Sequence, residues 1–317
     1  MPALITHHLF GERSAALLPE GVITGEEELL AFLLGNQGPD PFFFRATSPS
    51  TAGAAHSLAK NMHHENMTEA FNALREGVSH LPKQDAGIGR AFALGMLSHY
   101  ALDRSAHPFI YAQQYALVEA DPSLEEAASG VHAVIESDID TWMLWTLRHA
   151  TVHDCPPVGE LAHTERICRV AGALTSQVAW AAFGIRMGAT EYAGALADME
   201  LCYRTIEPHG SLKNRAIGDV ERLARPYSTL VSLSHRVSTS DECWEANLEH
   251  KMWKHPFAPE TSNDSFMDRF DAALEGWPAL AEAFTRGGDE LRAAVAGLNY
   301  SGVPLGADER CPEELKD

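Results

Sequence analysis

Between Leu97 and Thr141 the chain sets histidines and carboxylates four residues apart. LSHYALDRSAHPF (Leu97–Phe109) contains His99, Asp103 and His107, and GVHAVIESDID (Gly130–Asp140) contains His132 and Glu136. On an α-helix, residues i, i+4 and i+8 project from nearly one face. Two neighbouring helices of this kind would aim these imidazoles and carboxylates at one point. Imidazole and carboxylate together are a ligand set for zinc and related divalent metals. A single pair at this spacing commonly serves as a surface ion pair. Here the polar residues interrupt strongly apolar runs, AFALGMLSHYAL before and WMLW (Trp142–Trp145) after. Buried ionisable groups cost several kcal/mol unless paired or metal-bound, so the pattern points to a metal site.

The elements that must position these residues read as helices. Residues 1–19 begin with a short helix that carries His7 and His8 at its start, with Thr6 as a cap. EEELLAFLLG (residues 26–35) has acidic residues in its first turn and Gly35 as its end. NQGPDPFFF (Asn36–Phe44) is a loop in which Pro-Asp-Pro holds Asp40 extended, as a turn residue or something more. A Ser/Thr/Pro/Gly-rich loop covers 45–53. Helical periodicity then runs from Ala54 to Val78 and carries His56, His63 and His64. Gly87 and Gly89 precede the long helix with His99, and a further helix, Val131–Val152, holds His132. After the loop Cys155–Leu161 come helices over 163–201, a helical stretch over 211–236 broken near Pro226, an aromatic and Pro-rich stretch over 240–262, and a helix pair over 263–296 broken at Gly287-Gly288. No stretch alternates as a strand does. The expectation is an all-α multi-helix bundle with a metal cluster in its core. It forms one domain over 1–317, with a metal-site half to about 155 and supporting helices beyond. A split near 155 is the alternative.

Composition narrows the partners. The chain has 317 residues, 45% of them apolar, and a net charge of −20 with neutral histidines. That charge repels long nucleic acid and disfavours an anionic membrane, while a small phosphate-bearing substrate remains compatible with a cationic metal pocket. No run of 18 apolar residues suggests a transmembrane span, and the start lacks the pattern of a signal peptide, which reads as cytoplasmic. The cysteines, Cys155, Cys168, Cys202, Cys243 and Cys311, are odd in number and lack CxxC spacing, so reduced thiols are expected.

With these motifs in view, the chain resembles the zinc-dependent phospholipase C family, related to the P1/S1-type nucleases. LSHYALDRSAHPF followed by HAVIESDID is the most specific part. THHLFG, GNQGPDPFFF, the histidine of NMHHE, and the later NLEHKMW and NYSGVPL segments extend the likeness along nearly the whole chain. The resemblance implies an all-α bundle with a trinuclear zinc cluster. One zinc would be held by Asp40, His63 and His99, with Asp103 bridging to a second. The second would take His7 and an N-terminal backbone group, here of Met1 or Pro2. The remaining zinc would take His107, His132 and Glu136. His63 is preferred to His64 and His56, and His7 to His8, each with its neighbour as the alternative. Two departures stand out. Secreted members begin, after processing, with a tryptophan whose amine and carbonyl bind zinc, whereas this chain starts Met1-Pro2-Ala3. The spacing from Asp103 to His107 is also shorter than in the secreted phospholipases.

The same residues suggest the chemistry. Eight protein ligands exceed what one tetrahedral ion can use, so roughly two to three zinc ions are expected. Zinc lowers the pKa of bound water towards about 7 and neutralises phosphate charge, and Asp40 could orient or deprotonate the attacking water. The reading is a zinc-dependent hydrolase of phosphate esters, a phospholipase C-like phosphodiesterase acting on a small phosphate ester or phospholipid through metal-bound hydroxide. The alternatives are a nuclease or nucleotidase, or a metal-binding protein of this fold with other chemistry or none. Asp138, Asp140 and Glu65 are available to support the histidine rings. Trp244, Trp253, Phe257 and Phe42–Phe44 are candidates for a substrate mouth, or for core.

Overall fold

Twelve α-helices and almost no strand make up residues 3–311, which the computed structural model describes. The helices α1 (Leu4–Ala16) and α2 (Glu26–Gly35) lead into a 3-10 turn at Asp40–Phe44. Then come α3 (Pro49–His64), α4 (Met67–His80), the 35-residue α5 (Ala86–Ala120) and α6 (Ala128–Arg148). The remaining helices are α7 (Glu165–Phe183), α8 (Glu191–Ile206), α9 (Leu212–Glu221), α10 (Thr229–Ser232), α11 (Phe266–Arg286) and α12 (Gly288–Val295). Between α10 and α11 a small hairpin, β1 (Trp253–Lys254) and β2 (Thr261–Ser262), pairs Trp253 with Ser262 and Lys254 with Thr261. The all-α expectation holds. Among the described residues no helix is long and apolar enough to cross a membrane.

Helix α5 is the axis of the molecule. From Ile88 to Ile110 all but Arg90, Arg104 and Ser105 of its residues are buried. Helix α2 lies on it at backbone distance. A Cβ added to Gly95 would sit 2.1 Å from Phe32 O, and one on Gly35 would sit 2.3 Å from Phe92 O. Only glycine permits that approach, and it delivers Asn36 and the following turn to the middle of α5. The turn is anchored from the far half of the chain. Buried Arg45 bonds Glu191 at 2.9 Å and Asp198 at 2.7 Å, both on α8.

Local details depart from the sequence expectations for identifiable reasons. Thr6 is inside α1, not its cap. The first-turn amides of Ile5 and Thr6 instead donate to Asp140 Oδ2 and Oδ1, at 2.9 and 2.7 Å. A carboxylate from α6 thus satisfies the donors that every helix start leaves open and complements its dipole. Asp40 is not extended but opens the 3-10 turn, since Pro39 itself sits near helical angles at φ −80°, ψ −3°. The single helix expected over Ala54–Val78 is two. Asn66 takes left-handed angles (φ 58°) and breaks it between His64 and Met67, as asparagine tolerates.

Asp140 also meets His235 Nε2 at 3.0 Å, whose Nδ1 is 2.6 Å from Glu207. Burial alone would lower the pKa of His235, but its bonds to Asp140 and Glu207 outweigh that and raise it from 6.5 to about 9. Its stabilising charge is therefore fully present below pH 6.5 and is lost as pH rises through 9. The wild-type protein is expected to lose stability over that window, with a shallower slope in His235→Gln. Asp140→Ala is expected to cost about 3–5 kcal/mol in chemical denaturation, the scale of a broken buried pair.

Candidate metal centre

All eight residues singled out as ligands lie in one buried region. His7 comes from the first turns of α1, Asp40 from the 3-10 turn and His63 from the end of α3. His99, Asp103 and His107 descend one face of α5, and His132 and Glu136 face them from α6. They fall into three groups compact enough to hold an ion: His7, His99 and Asp103; Asp40, His63 and His99; and His107, His132 and Glu136. Asp103 joins the groups. Its Oδ1 is 3.0 Å from His7 Nε2, and its Oδ2 is 3.1 Å from His99 Nε2, 3.9 Å from His63 Nε2 and 3.6 Å from His107 Nδ1. Asp40 Oδ1 is 3.2 Å from His63 Nε2. Glu136 Oε1 is 3.2 Å from His132 Nε2 and 3.4 Å from His107 Nε2.

The far side of the rings fixes their protonation. His63 Nδ1 donates to Ala59 O at 2.8 Å, His99 Nδ1 to Asn36 O at 3.1 Å and His107 Nδ1 to Tyr300 O at 2.9 Å. His132 Nδ1 is 2.8 Å from Gln114 Oε1. With the hydrogen on Nδ1, a ring in its neutral form turns an Nε2 lone pair towards carboxylate oxygens, and two electron-rich atoms do not attract. A cation between them resolves the conflict. His99 Nε2 and Asp40 Oδ1 are buried without a hydrogen-bond partner, which is the state of ligand atoms facing an ion. The donor set therefore fits zinc.

Charge leads to the same place. Burial alone would raise the Asp103 carboxyl, but His107, His99 and His7 hold it well below the usual carboxylate range. Asp40 is likewise lowered against its burial by His99 and His63, and Glu136 against its own by His132 and His107. Burial alone would also lower His107, yet Asp103 and Glu136 raise it to about 9. His132 is lowered, burial outweighing Glu136. Three carboxylates thus stay ionised in one buried region, a concentration of negative charge that bound cations would balance.

The site is closed. A cavity of about 20 Å³ touches His7, Asp103, His107 and Glu136, about the room of one water. Tyr111 covers the His107 group, its ring centroid 4.9 Å from that of His132 and 5.5 Å from that of Phe257. Beyond it runs a groove of about 1210 Å³ between α5, α6 and the hairpin loop, which none of the eight residues lines. Trp244 is on this groove and Trp253 packs on Phe109, whereas Phe42 is core. Phe43 lies against the His63 ring and Phe44 against Tyr203.

The neighbouring histidines do other work. His8 meets Glu160 Oε2 at 2.8 Å and has a pKa of about 9, since Glu12 and Glu160 overcome the lowering effect of burial. His64 Nδ1 donates back to Lys60 O, and His56 is exposed. Asp140 supports the site through the start of α1, not through a ligand ring. Asp138 faces Arg236 at 3.6 Å. Gln114 was missed in the sequence, although it lies seven residues from His107 on the same face of α5. Tyr300 was unassigned within NYSGVPL. Its carbonyl takes the His107 hydrogen and its amide donates to His63 O at 3.2 Å. Met1 and Pro2, one of which the family resemblance implies as a zinc ligand through its backbone, lie outside the described residues.

Gly38 sets the tolerance of the site. It has φ +58°, and a Cβ there would lie 2.3 Å from the His99 ring. Gly38→Ala is expected to push that ring aside and to lower bound metal by about one ion per chain, read by elemental analysis beside circular dichroism.

Comparison with known proteins agrees with this geometry. The profile of the family described as zinc dependent phospholipase C matches residues 6–164. No curated protein and no solved structure matches the chain. The matched span contains all eight converging residues, and the chain belongs to the zinc-dependent phospholipase C family.

Proposed function

We propose that the protein is a zinc-dependent hydrolase of phosphate esters, most specifically a phospholipase C-like phosphodiesterase. The observation that carries this reading is the set of Nε2 atoms turned onto three buried carboxylates in a chain of this family. His7, Asp40, His63, His99, Asp103, His107, His132 and Glu136 would hold two to three zinc ions, with Asp103 shared between neighbours. The chain would work as one domain, because α8 supports the turn that bears Asp40.

Zinc in these positions supplies Lewis acidity towards a phosphate and makes water acidic enough to react near neutral pH. The protein does the rest. The backbone carbonyls behind His63, His99 and His107 keep the rings in one tautomer and orientation. Asp40, ionised and buried, offers an acceptor for the proton of an attacking water. Tyr111 and Phe257 exclude solvent on the His107 side. The net charge of −20 favours a small ester over long nucleic acid.

A panel of soluble phosphodiesters, phosphomonoesters, nucleotides and phospholipids tests the reading, with and without zinc. Zinc-dependent release of a phosphorylated head group from phospholipid is expected; preference for nucleotides would favour the nuclease branch. Asp40→Asn is expected to damage turnover more than zinc content. Asparagine keeps an oxygen donor but cannot take a proton. Zinc lost in proportion to activity would make Asp40 mainly a ligand.

A further inference from the structure

The surface over α9 and the turn after it does not fit the rest of this acidic chain. Leu212 is 87% exposed, Val220 67% and Leu223 88%. With Ala216 they repeat at helical spacing, four, four and three residues apart, so they form one outward stripe. Lys213, Arg215, Arg222 and Arg225 flank it, against only Asp219 and Glu221 between residues 211 and 226. Both acids are engaged. Asp219 pairs with Arg222 at 3.1 Å, and Glu221 accepts from Ser228 Oγ and from Leu230 N. Among the described residues, Lys213, Arg215 and Arg225 form no ion pair; Lys213 Nζ donates to Arg204 O at 2.7 Å and Arg225 Nη1 to Thr229 Oγ1 at 2.8 Å, neutral acceptors that leave their charge uncompensated. An exposed apolar stripe with basic flanks is the composition of an interfacial helix.

A second observation lies beside it, under the chain that follows α9. A cavity of about 490 Å³ opens between Arg222, Pro226, Tyr227 and Ser228 on one side and the outer face of α6 on the other. Its walls include Leu117, Val131, Val134, Ile135 and Val231, and Arg222 and Pro226 border it. The volume is that of a ligand pocket, and the walls are mostly apolar, with His209, Ser228, Ser232 and Glu245 also on them. Val131 and Ile135 alternate on α6 with His132 and Glu136, so the cavity and the candidate metal centre occupy two faces of the same helical turns. Trp244, 63% exposed, lines the cavity from the other side.

We propose that α9 and its following turn dock on a phospholipid bilayer containing anionic lipid, with an acyl chain entering the cavity beside α6. Leu212, Val220 and Leu223 would enter the acyl boundary, while Lys213, Arg215 and Arg225 meet lipid phosphates. The overall negative charge does not forbid this. Screening in physiological salt acts within about 8 Å, so the local basic flank sets the interaction at contact and distant carboxylates only slow the approach. The purpose assigned to this surface rests on the proposed phospholipid hydrolysis, whereas the docking itself is tested without reference to turnover.

The test is cosedimentation of the zinc-loaded full chain with vesicles of phosphatidylcholine, alone and with phosphatidylglycerol. Binding is expected to require phosphatidylglycerol and to weaken with added salt. Leu212→Asn with Leu223→Asn, and separately Arg215→Glu with Arg225→Glu, should each weaken binding at least about tenfold. Melting temperature and turnover of a soluble ester should stay unchanged, because these side chains are exposed and far in sequence from the metal ligands. Lipids brominated in the acyl chain should quench wild-type fluorescence more than that of Trp244→Phe. No binding by the wild type, or unchanged binding by both double variants, overturns the docking surface. Equal quenching in Trp244→Phe overturns the cavity as the acyl site. Self-association of the wild type, abolished in the leucine double variant without any vesicle binding, would make the stripe a contact between copies. Hydrolysis failing while vesicle binding persists would overturn the proposed activity and leave the docking intact.

Discussion

Five imidazoles and three carboxylates meet inside an otherwise apolar helical core, and this buried charge is the constraint on which the structure turns. Removing so many polar groups from water is costly unless each finds a partner. The protein meets the demand in two layers. Outward-facing Nδ1 atoms bond to carbonyls of Asn36 just after α2, of Ala59 on α3 and of Tyr300, and inward-facing Nε2 atoms face carboxylates. The first layer is made without metal for His63, His99, His107 and His132, while His7 Nδ1 is buried without a hydrogen-bond partner. The second layer is unmade, and a divalent cation completes it.

Much of the fold can be read as support for that arrangement. Glycines at positions 35 and 95 let α2 touch α5, so that Asn36 O reaches His99. Asp140 from α6 holds the start of α1 and with it His7. Arg45 ties the Asp40 turn to α8 through two buried carboxylates. The segment after α12 closes over the site, where Tyr300 contacts the rings of His63 and His99 with centroids 4.9 and 5.7 Å away. Among the described residues the second half of the chain contributes no candidate ligand, yet it holds both the turn that bears Asp40 and the ring of His107 in place.

The helices and five of the eight converging residues were legible because spacing carries them, whereas His7, Asp40 and His63 came only from the family resemblance. His99, Asp103 and His107 at four-residue intervals share a face whatever the tertiary fold, and His132 with Glu136 repeats the pattern. Tertiary contacts hid the rest. Thr6 looks like a cap until Asp140, 134 residues away, takes its amide. The Ala54–Val78 helix reads as continuous because Asn66 costs little in a helical pattern, and its left-handed turn shows only in the fold. Asp40 reads as extended because proline follows it, but packing of the turn on α3 and α8 selects a 3-10 conformation. The acceptors behind the rings were invisible in principle where they are backbone carbonyls, which have no residue signature. Gln114 was the exception.

The central claim is that this cluster is a metal centre and not a network of protonated histidines. The most direct measurement is native mass spectrometry of the full chain purified without added metal, before and after dialysis against zinc. The account predicts a dominant species carrying about two to three zinc ions, since eight ligands exceed the capacity of one tetrahedral site. A chain that retains one ion or none at saturating zinc, while remaining folded, would contradict it.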